Sequence, residues 1–352
     1  MGEDRDRFPV SIAARFKHDT PHAEFAIGFI IISAYAPFMA SPNTLRLGPA
    51  QSDWSLFGLV DDVRPALADM LRSGQRGALA TLVGVDGPSP RPLGSQMLID
   101  SHGHAVGYVS GGCVEGSIAI LGQEVIASGI AQRVIFGSDS PFKDIVLICG
   151  TRIEVLVEPV FPDDTNFLEL VVAYRSRQTY TRRTAPDAQG RTFECYHEPA
   201  TRLIILGHDP VALASVHLGR IMGLDTVLVR DKGPSQAPDG FADTYLNASA
   251  THAFETLLLD AWTAVVTTTH DLDQDHLALT HALQSPCFYV GALGSKRRLD
   301  DRQAKLRAAG LSKGQIATLR APVGLSIGAA SPYEIAVSIL GDIVAARRLG
   351  KR

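Results

Sequence analysis

The sequence predicts an α/β chain in two parts: an N-terminal α+β domain and, after it, a doubly wound parallel sheet of the Rossmann-like kind. Three observations carry this. From Arg202 onward, short β-branched runs alternate with helical periods, and glycine turns join strand to helix, as in Leu203–Leu206 followed by Gly207. Upstream, strand-like runs follow one another around a single strongly periodic helix after Cys113, which is an α+β pattern. With 352 residues, 45% of them hydrophobic, the chain is long enough for two cores. The expected divisions are an extension over 1–52, a first domain over 53–160, a connecting segment over 161–200 and the Rossmann-like domain over 201–352.

A net charge of −4 gives no sequence-wide attraction to nucleic acid or to an acidic membrane. Cys113, Cys149, Cys195 and Cys287 lie far apart without a Cys-x-x-Cys, which argues against a zinc finger, an iron–sulfur cluster or a disulfide framework. A reducing, cytoplasmic setting is expected. Phe25–Ala36 is apolar but shorter than the roughly 20 residues of a membrane span. Met39 opens an ordinary polar start, so residues 1–38 read as an over-long start or a disposable extension, with folded chain from about Asp53.

In the first half, Val60, Val63, Leu67 and Leu71 predict a helix over Asp53–Leu71, stopped at Gly74. A strand over Ala78–Val83 leads into a loop with Pro88, Pro90 and Pro92, where missing donors interrupt regular structure. That loop carries Arg91 beside Gly94, an arrangement that suits either an anion grip or a solvated surface arginine. Gln96 leads into the strand Met97–Asp100, and Gly103 turns the chain into Ala105–Val109. Then comes Ser110-Gly111-Gly112-Cys113-Val114-Glu115-Gly116, followed by a helix with Val114, Ile118, Leu121 and Val125 on one face, ending at Gly129. Cys113 is thus expected at a helix N-terminus, where free N–H groups would favour a thiolate; the alternative is a small buried filler. Strands are expected at Arg133–Phe136, Asp144–Cys149 and Ile153–Glu158, with a helix near Leu168–Ala173 and a hairpin around Asp187–Gly190.

In the second half, strand Leu203–Leu206 meets Gly207-His208-Asp209-Pro210 and a helix with Val211, Ala214, Leu218 and Ile221. Strand Thr226–Arg230 ends at Asp231, placed where a Rossmann fold holds a ribose hydroxyl, about 20 residues past the first turn. Asp209 replaces the second fingerprint glycine, and a carboxylate there repels a pyrophosphate. Strand Ala264–Thr268 leads to His270-Asp271-Leu272-Asp273-Gln274-Asp275-His276, either a metal or proton site or a solvated loop with Asp273 capping the next helix. Strand Phe288–Val290 meets Gly291-Ala292-Leu293-Gly294-Ser295-Lys296-Arg297-Arg298, read as an anion-binding turn opening a helix or as a basic helix face. A capping box at Ser331–Glu334, with Pro332, starts the last helix.

Taken together, Gly87–Met97, Ser110–Gly116, Thr269-His270-Asp271, Tyr289–Ser295 and Gly324–Ala329 resemble, in order, the motifs of the XdhC/CoxI family of accessory proteins for molybdenum hydroxylases such as xanthine dehydrogenase. The resemblance runs from about Asp53 to the C-terminus. It implies a chaperone that binds molybdenum cofactor (molybdopterin), protects it while a cysteine desulfurase supplies sulfur, and delivers it to a xanthine dehydrogenase-type hydroxylase. A homodimer is expected, without nucleic acid or membrane. The cofactor-binding residues expected are Arg91, Gly94, Gln96, Gly111, Gly112, Cys113 and Glu115, and in the second half Gly207, Asp231, His270, Gly291, Gly294, Ser295, Lys296 and Arg297. Cys113 is expected to face molybdenum, while Arg91 and the Ser295–Arg298 turn hold phosphate. The competing readings are an oxidoreductase using NAD(P), or a scaffold that binds partners alone.

Overall fold

A computed structural model describes residues 56–89, 91–137, 140 and 150–350. The apolar run Phe25–Ala36, the polar start at Met39 and the strand expected at Asp144–Cys149 lie outside them.

The first half is built on an antiparallel sheet of order β3-β2-β1-β5-β4, with β1 Gly77–Asp86, β2 Gln96–Asp100, β3 Ala105–Gly107, β4 Gln132–Phe136 and β5 Arg152–Val160. Both faces of β1 are covered, so it reads as a continuous apolar run. Ala78, Ala80 and Leu82 face α2 (Glu115–Ser128) through Ile118, Leu121 and Val125. Leu79 faces the other way, onto α1 (Arg64–Arg72) and α3 (Thr165–Arg175), among Leu67, Phe167 and Leu170. Each of these fully buried large side chains contributes about 1.5–3 kcal/mol.

The helix expected over Asp53–Leu71 is broken. A 3-10 turn at Leu56–Leu59 precedes α1, because Pro65 has no N–H to continue a helix through and the Asp62 carboxylate captures both the Arg64 N–H (3.0 Å) and its guanidinium (2.7 Å). Residues 161–200 are more than a connector. Helix α3 shares a core with α1, and the hairpin of β6 (Tyr180–Arg183) and β7 (Glu194–His197) holds Arg182 against Glu158 of β5, a pair 2% exposed on both sides. Asp187 closes the hairpin turn by accepting from the Gln189 and Arg191 N–H groups.

The second half has the parallel order β10-β9-β8-β11-β12-β13, from β8 Arg202–Leu206, β9 Asp225–Val229, β10 Thr244–Leu246, β11 Thr263–Thr267, β12 Tyr289–Ala292 and β13 Leu319–Arg320. The order reverses between β8 and β11, which opens a crevice at their C-terminal ends. Helices α4 (Pro210–Ile221) and α9 (Pro332–Leu349) cover one face; α5 (Ala250–Thr256), α6 (Leu272–Gln284), α7 (Leu299–Ala308) and α8 (Lys313–Ala317) lie on the other. The predicted α/β class, α+β and then Rossmann-like, is the class observed.

Arg177 fastens the two halves. Its backbone is left-handed (φ 54°) at the turn after α3, and its guanidinium is buried. It reaches both oxygens of Asp260 (2.7 and 3.1 Å), Asp225 (3.2 Å) and the Ala200 carbonyl (3.0 Å). No helix among the described residues is long and apolar enough to cross a membrane.

Candidate cofactor site

The turn that carries Cys113 rests on a buried carboxylate. Strand β3 ends at Gly107 in a left-handed conformation (φ 83°), where a Cβ would lie 2.4 Å from the Gln96 carbonyl and from Val63. The chain then passes Tyr108 and the buried Val109 and Ser110. Glu115, 1% exposed in the first turn of α2, folds back: its Oε1 accepts the Val109 N–H (3.2 Å) and Ser110 N–H (2.7 Å). Its Oε2 accepts the Ser110 hydroxyl (2.7 Å) and the Val114 N–H (3.2 Å). The Cys113 N–H goes to Ser110 Oγ at 3.2 Å.

Two expectations change here. Helix α2 begins at Glu115 with Val114 as its N-cap, so Cys113 stands one residue before the cap, with its own N–H on Ser110 Oγ. The glutamate supplies an anion in the first turn of that helix, and its side chain faces the interior. What the base presents is Gly111, Gly112 (φ 99°) and Cys113, all exposed: two residues without side chains and one thiol. Cys113 is therefore not a buried filler. Exposed thiols of this kind are open to soft metals and electrophiles.

Arg91 lies against the start of this turn. Its guanidinium stacks 4.1 Å over the Tyr108 ring and donates to the Tyr108 hydroxyl at 3.1 Å. Its other end pairs with Asp61, whose side chain is 65% exposed. The arginine is neither solvated nor vacant; an anion arriving there competes with a carboxylate that has room to swing into water. Nothing in the sequence signals Asp61, which lies 30 residues from Arg91. Gly94 (φ 85°) has open space on its Cβ side. Gln96 is buried in β2 and donates to Thr81 Oγ1 (3.3 Å), a core role rather than a presented one.

The remaining expected residues line the C-terminal ends of the parallel strands. A cavity of about 180 Å³ there is bordered by Gly207, His208, Asp231, Thr269, Asp271 and Gln274. Asp209 caps α4, accepting from the Ala212 N–H (2.8 Å) and Thr268 Oγ1 (3.0 Å), so a carboxylate already sits where a pyrophosphate would take the helix end. A Cβ on Gly207 would lie 2.0 Å from Thr268 Oγ1, so this glycine serves packing. His270 is exposed, edge-on to His208 at 5.9 Å. The His270–His276 run does not gather into a ligand set. Asp271, rather than Asp273, caps α6 through the Asp273 and Gln274 N–H groups, and buried Asp275 pairs with Arg302.

The glycine turn after β12 also differs from its reading. Gly291 is buried in the strand, where a Cβ would lie 2.5 Å from Val323. Gly294 and Ser295 are exposed, but a 3-10 turn at Lys296–Arg298 intervenes before α7, whose first turn holds Asp300 and Asp301. Those carboxylates oppose an anion at that helix end, while Arg297 and Arg298 in the turn before it are exposed cations. Arg302, not singled out from sequence, braces the turn from below through the Leu293 carbonyl (3.3 Å). Among the described residues, no hydrogen bond or ion pair joins the Gly111–Cys113 turn to the Gly291–Arg298 turn.

A larger cavity, about 530 Å³, opens at the opposite, N-terminal ends of the strands beside Trp262, Phe288 and Arg347. It contains none of the selected residues, and in open α/β sheets ligands bind at the carboxyl ends. The smaller crevice is the more telling one.

Comparison with known proteins matches the two halves separately. The family model described as the XdhC and CoxI family matches residues 70–137, and that of the XdhC Rossmann domain matches residues 203–343. The molybdenum cofactor insertion chaperone PaoD of Escherichia coli K12 is 32% identical over 306 residues, which is 82% of this chain and 90% of PaoD. A probable xanthine dehydrogenase subunit of Bacillus subtilis 168 is 26% identical over 324 residues, 79% of this chain and 96% of that protein. A crystal structure described as that of a xanthine dehydrogenase from Bacillus halodurans shares the fold, with a TM-score of 0.67 at 24% identity, over 82% of this chain and 96% of that one. With a divided two-part match and a relative aligned over nine-tenths of its length, the chain belongs to the XdhC and CoxI family.

Proposed function

We propose that this chain carries molybdenum cofactor as cargo, protects it during sulfuration and passes it to a xanthine dehydrogenase-type hydroxylase, with a cysteine desulfurase as its second partner. The observation that carries the reading is the exposed Gly111-Gly112-Cys113 turn fixed on the buried Glu115 carboxylate. The glycines leave backbone open to close approach and the thiol offers a soft donor, which suits the metal and dithiolene end of the cargo. Arg91, stacked on Tyr108 at the start of the same turn, is the guanidinium nearest in sequence for a phosphate, with Asp61 as the carboxylate a phosphate must displace. Arg297 and Arg298 offer a second phosphate grip from the Rossmann half. Membership of a family that includes a named molybdenum cofactor insertion chaperone supports the assignment.

The test is anaerobic purification from cells that make the cofactor, with molybdenum and oxidised pterin assayed in the same fraction. Both are expected near one equivalent in the wild type and strongly reduced in Cys113→Ala, which alters an exposed side chain and leaves the fold unchanged. Equal retention by wild type and variant removes Cys113 from the site. Absence of both, even after free cofactor is supplied, sinks the carrier reading.

A second reading, nucleotide binding in the crevice, is favoured by Asp231 on the cavity wall and by the strand order. Asp209 opposes it. If the crevice takes a dinucleotide, Asp209→Asn, which keeps the cap and removes the charge, tightens NAD(P) binding measured by fluorescence titration; no binding by either form disposes of this reading.

A further inference from the structure

The tip of the β2–β3 hairpin holds a set of side chains that the cofactor site does not use. Asp100 ends β2, and His102 and His104 follow at alternate positions around Gly103 (φ 83°). The two imidazoles lie on one side of the chain, stacked 27° apart with centroids 5.9 Å apart, both about 70% exposed. One donor atom from each of the three residues falls within 4.8 Å of the others, and no other group of this kind occurs among the described residues.

The carboxylate is oriented by its own turn. Asp100 Oδ1 accepts the His102 N–H (2.8 Å) and the His104 N–H (2.9 Å), which aims Oδ2 at both rings: 3.0 Å from His104 Nδ1 and 3.9 Å from His102 Nδ1. Ligand atoms about 2.0–2.1 Å from a tetrahedral zinc ion sit about 3.3 Å apart, so the two observed separations bracket that spacing. Hydrogen-bonding the non-ligating oxygen of a carboxylate is the usual outer support of a metal ligand. Two imidazole nitrogens with one carboxylate oxygen match zinc, nickel or copper rather than calcium or magnesium, which prefer oxygen-only sets. Both rings face water, so the remaining coordination positions are open to solvent.

We propose that Asp100, His102 and His104 form a surface site for one divalent transition-metal ion of the zinc, nickel and copper class, bridging the two strands of the hairpin. The site is independent of the cofactor turn, though it lies on the strand that leads there: β3 starts one residue after His104, and Ser110 follows its end by three residues.

The proposal is tested on the full-length chain with zinc ions alone, by titration calorimetry and by equilibrium dialysis with metal analysis. Cys113 can take zinc separately, so the measurement is the difference between proteins. His102→Ala/His104→Ala, on exposed side chains that leave the core untouched, is expected to bind one equivalent fewer than the wild type. Asp100→Asn keeps the acceptor for the two backbone N–H groups but not the charge, and is expected to bind that equivalent about tenfold or more weakly. Zinc should raise the thermal transition of the wild type by more than that of the double variant. Equal stoichiometry and affinity in wild type and double variant overturns the site; wild-type affinity in Asp100→Asn overturns the three-ligand assignment.

Discussion

Replacing Glu115 with glutamine swaps one carboxylate oxygen for an amide nitrogen at a place where only acceptors fit. If the remaining oxygen stays on the Val109 and Ser110 N–H groups, the amide nitrogen stands against the Val114 N–H, donor facing donor. A buried donor left unsatisfied costs about 1–3 kcal/mol. Removing the charge from the first turn of α2 adds about 0.3–1 kcal/mol. Glu115→Gln should therefore destabilise the chain by about 1–4 kcal/mol, from within the range of ordinary substitutions to beyond its upper end. Glu115→Ala, which also abandons the Ser110 hydroxyl, should exceed that. Urea unfolding followed by circular dichroism reads the loss as a lower midpoint at unchanged slope. Amide hydrogen exchange at Ser110 and Val114 should accelerate more than at the buried centre of β1. Cofactor retention should fall although Cys113 is intact. Stability within about 0.5 kcal/mol of wild type, with exchange unchanged, would refute the claim that this carboxylate holds the turn.

Three further outcomes follow from geometry given above. Gly207→Ala should lower the thermal transition because its Cβ meets Thr268 Oγ1, and Thr268→Ala in the same chain should restore part of the loss; additive losses in the double variant would show that the glycine is not there for packing. Among the three described cysteines, Cys113 should react first with a thiol reagent in the native protein, while Cys195, 2% exposed and pushed up to about 11 by burial, should react only on unfolding; mass mapping that finds Cys195 labelled natively contradicts the fold around it. Burial, aided by Arg64 and Arg182, holds the His197 imidazole down at about 4. The unfolded chain then binds a proton near 6.5 that the fold refuses, so stability present above pH 6.5 is lost as pH falls towards 4, by roughly 3 kcal/mol in all. Urea midpoints of His197→Gln should be flatter than wild type across that window, and parallel curves would dismiss His197 as the cause.

The parallel half of the fold was legible because fully buried strands write themselves as short apolar runs, and every helix among them except α7 carries a side-chain N-cap. Its motifs were less legible in purpose. Gly207 and Gly291 look like ligand glycines in a sequence, yet each is explained by one neighbouring side chain, Thr268 and Val323, that only the fold brings near. The first helix was misjudged at Asp62 and Pro65, where a local carboxylate outcompetes helical periodicity. The cap at Asp271 instead of Asp273 is a two-residue error that depends on backbone angles invisible in composition. Glu115 reads outward by its charge and points inward because three backbone donors converge on it. Asp61 and Tyr108 went unseen as partners of Arg91 because long-range pairs leave no spacing to read.

Arg177 also decides how freely the two halves can part. To swing one half away from the other at Ala200, the molecule must draw a buried guanidinium off Asp260, Asp225 and the Ala200 carbonyl together, although water reaching the freed charges returns part of that cost. Under the proposed reading, a receiving enzyme meets one surface held together at this joint rather than a jaw, and recognition must be written in its shape and charge. Spin labels on the two halves should report one narrow distance in the wild type and a broadened one in Arg177→Met; a broad distribution in both would mean that the joint is loose despite its ion pairs.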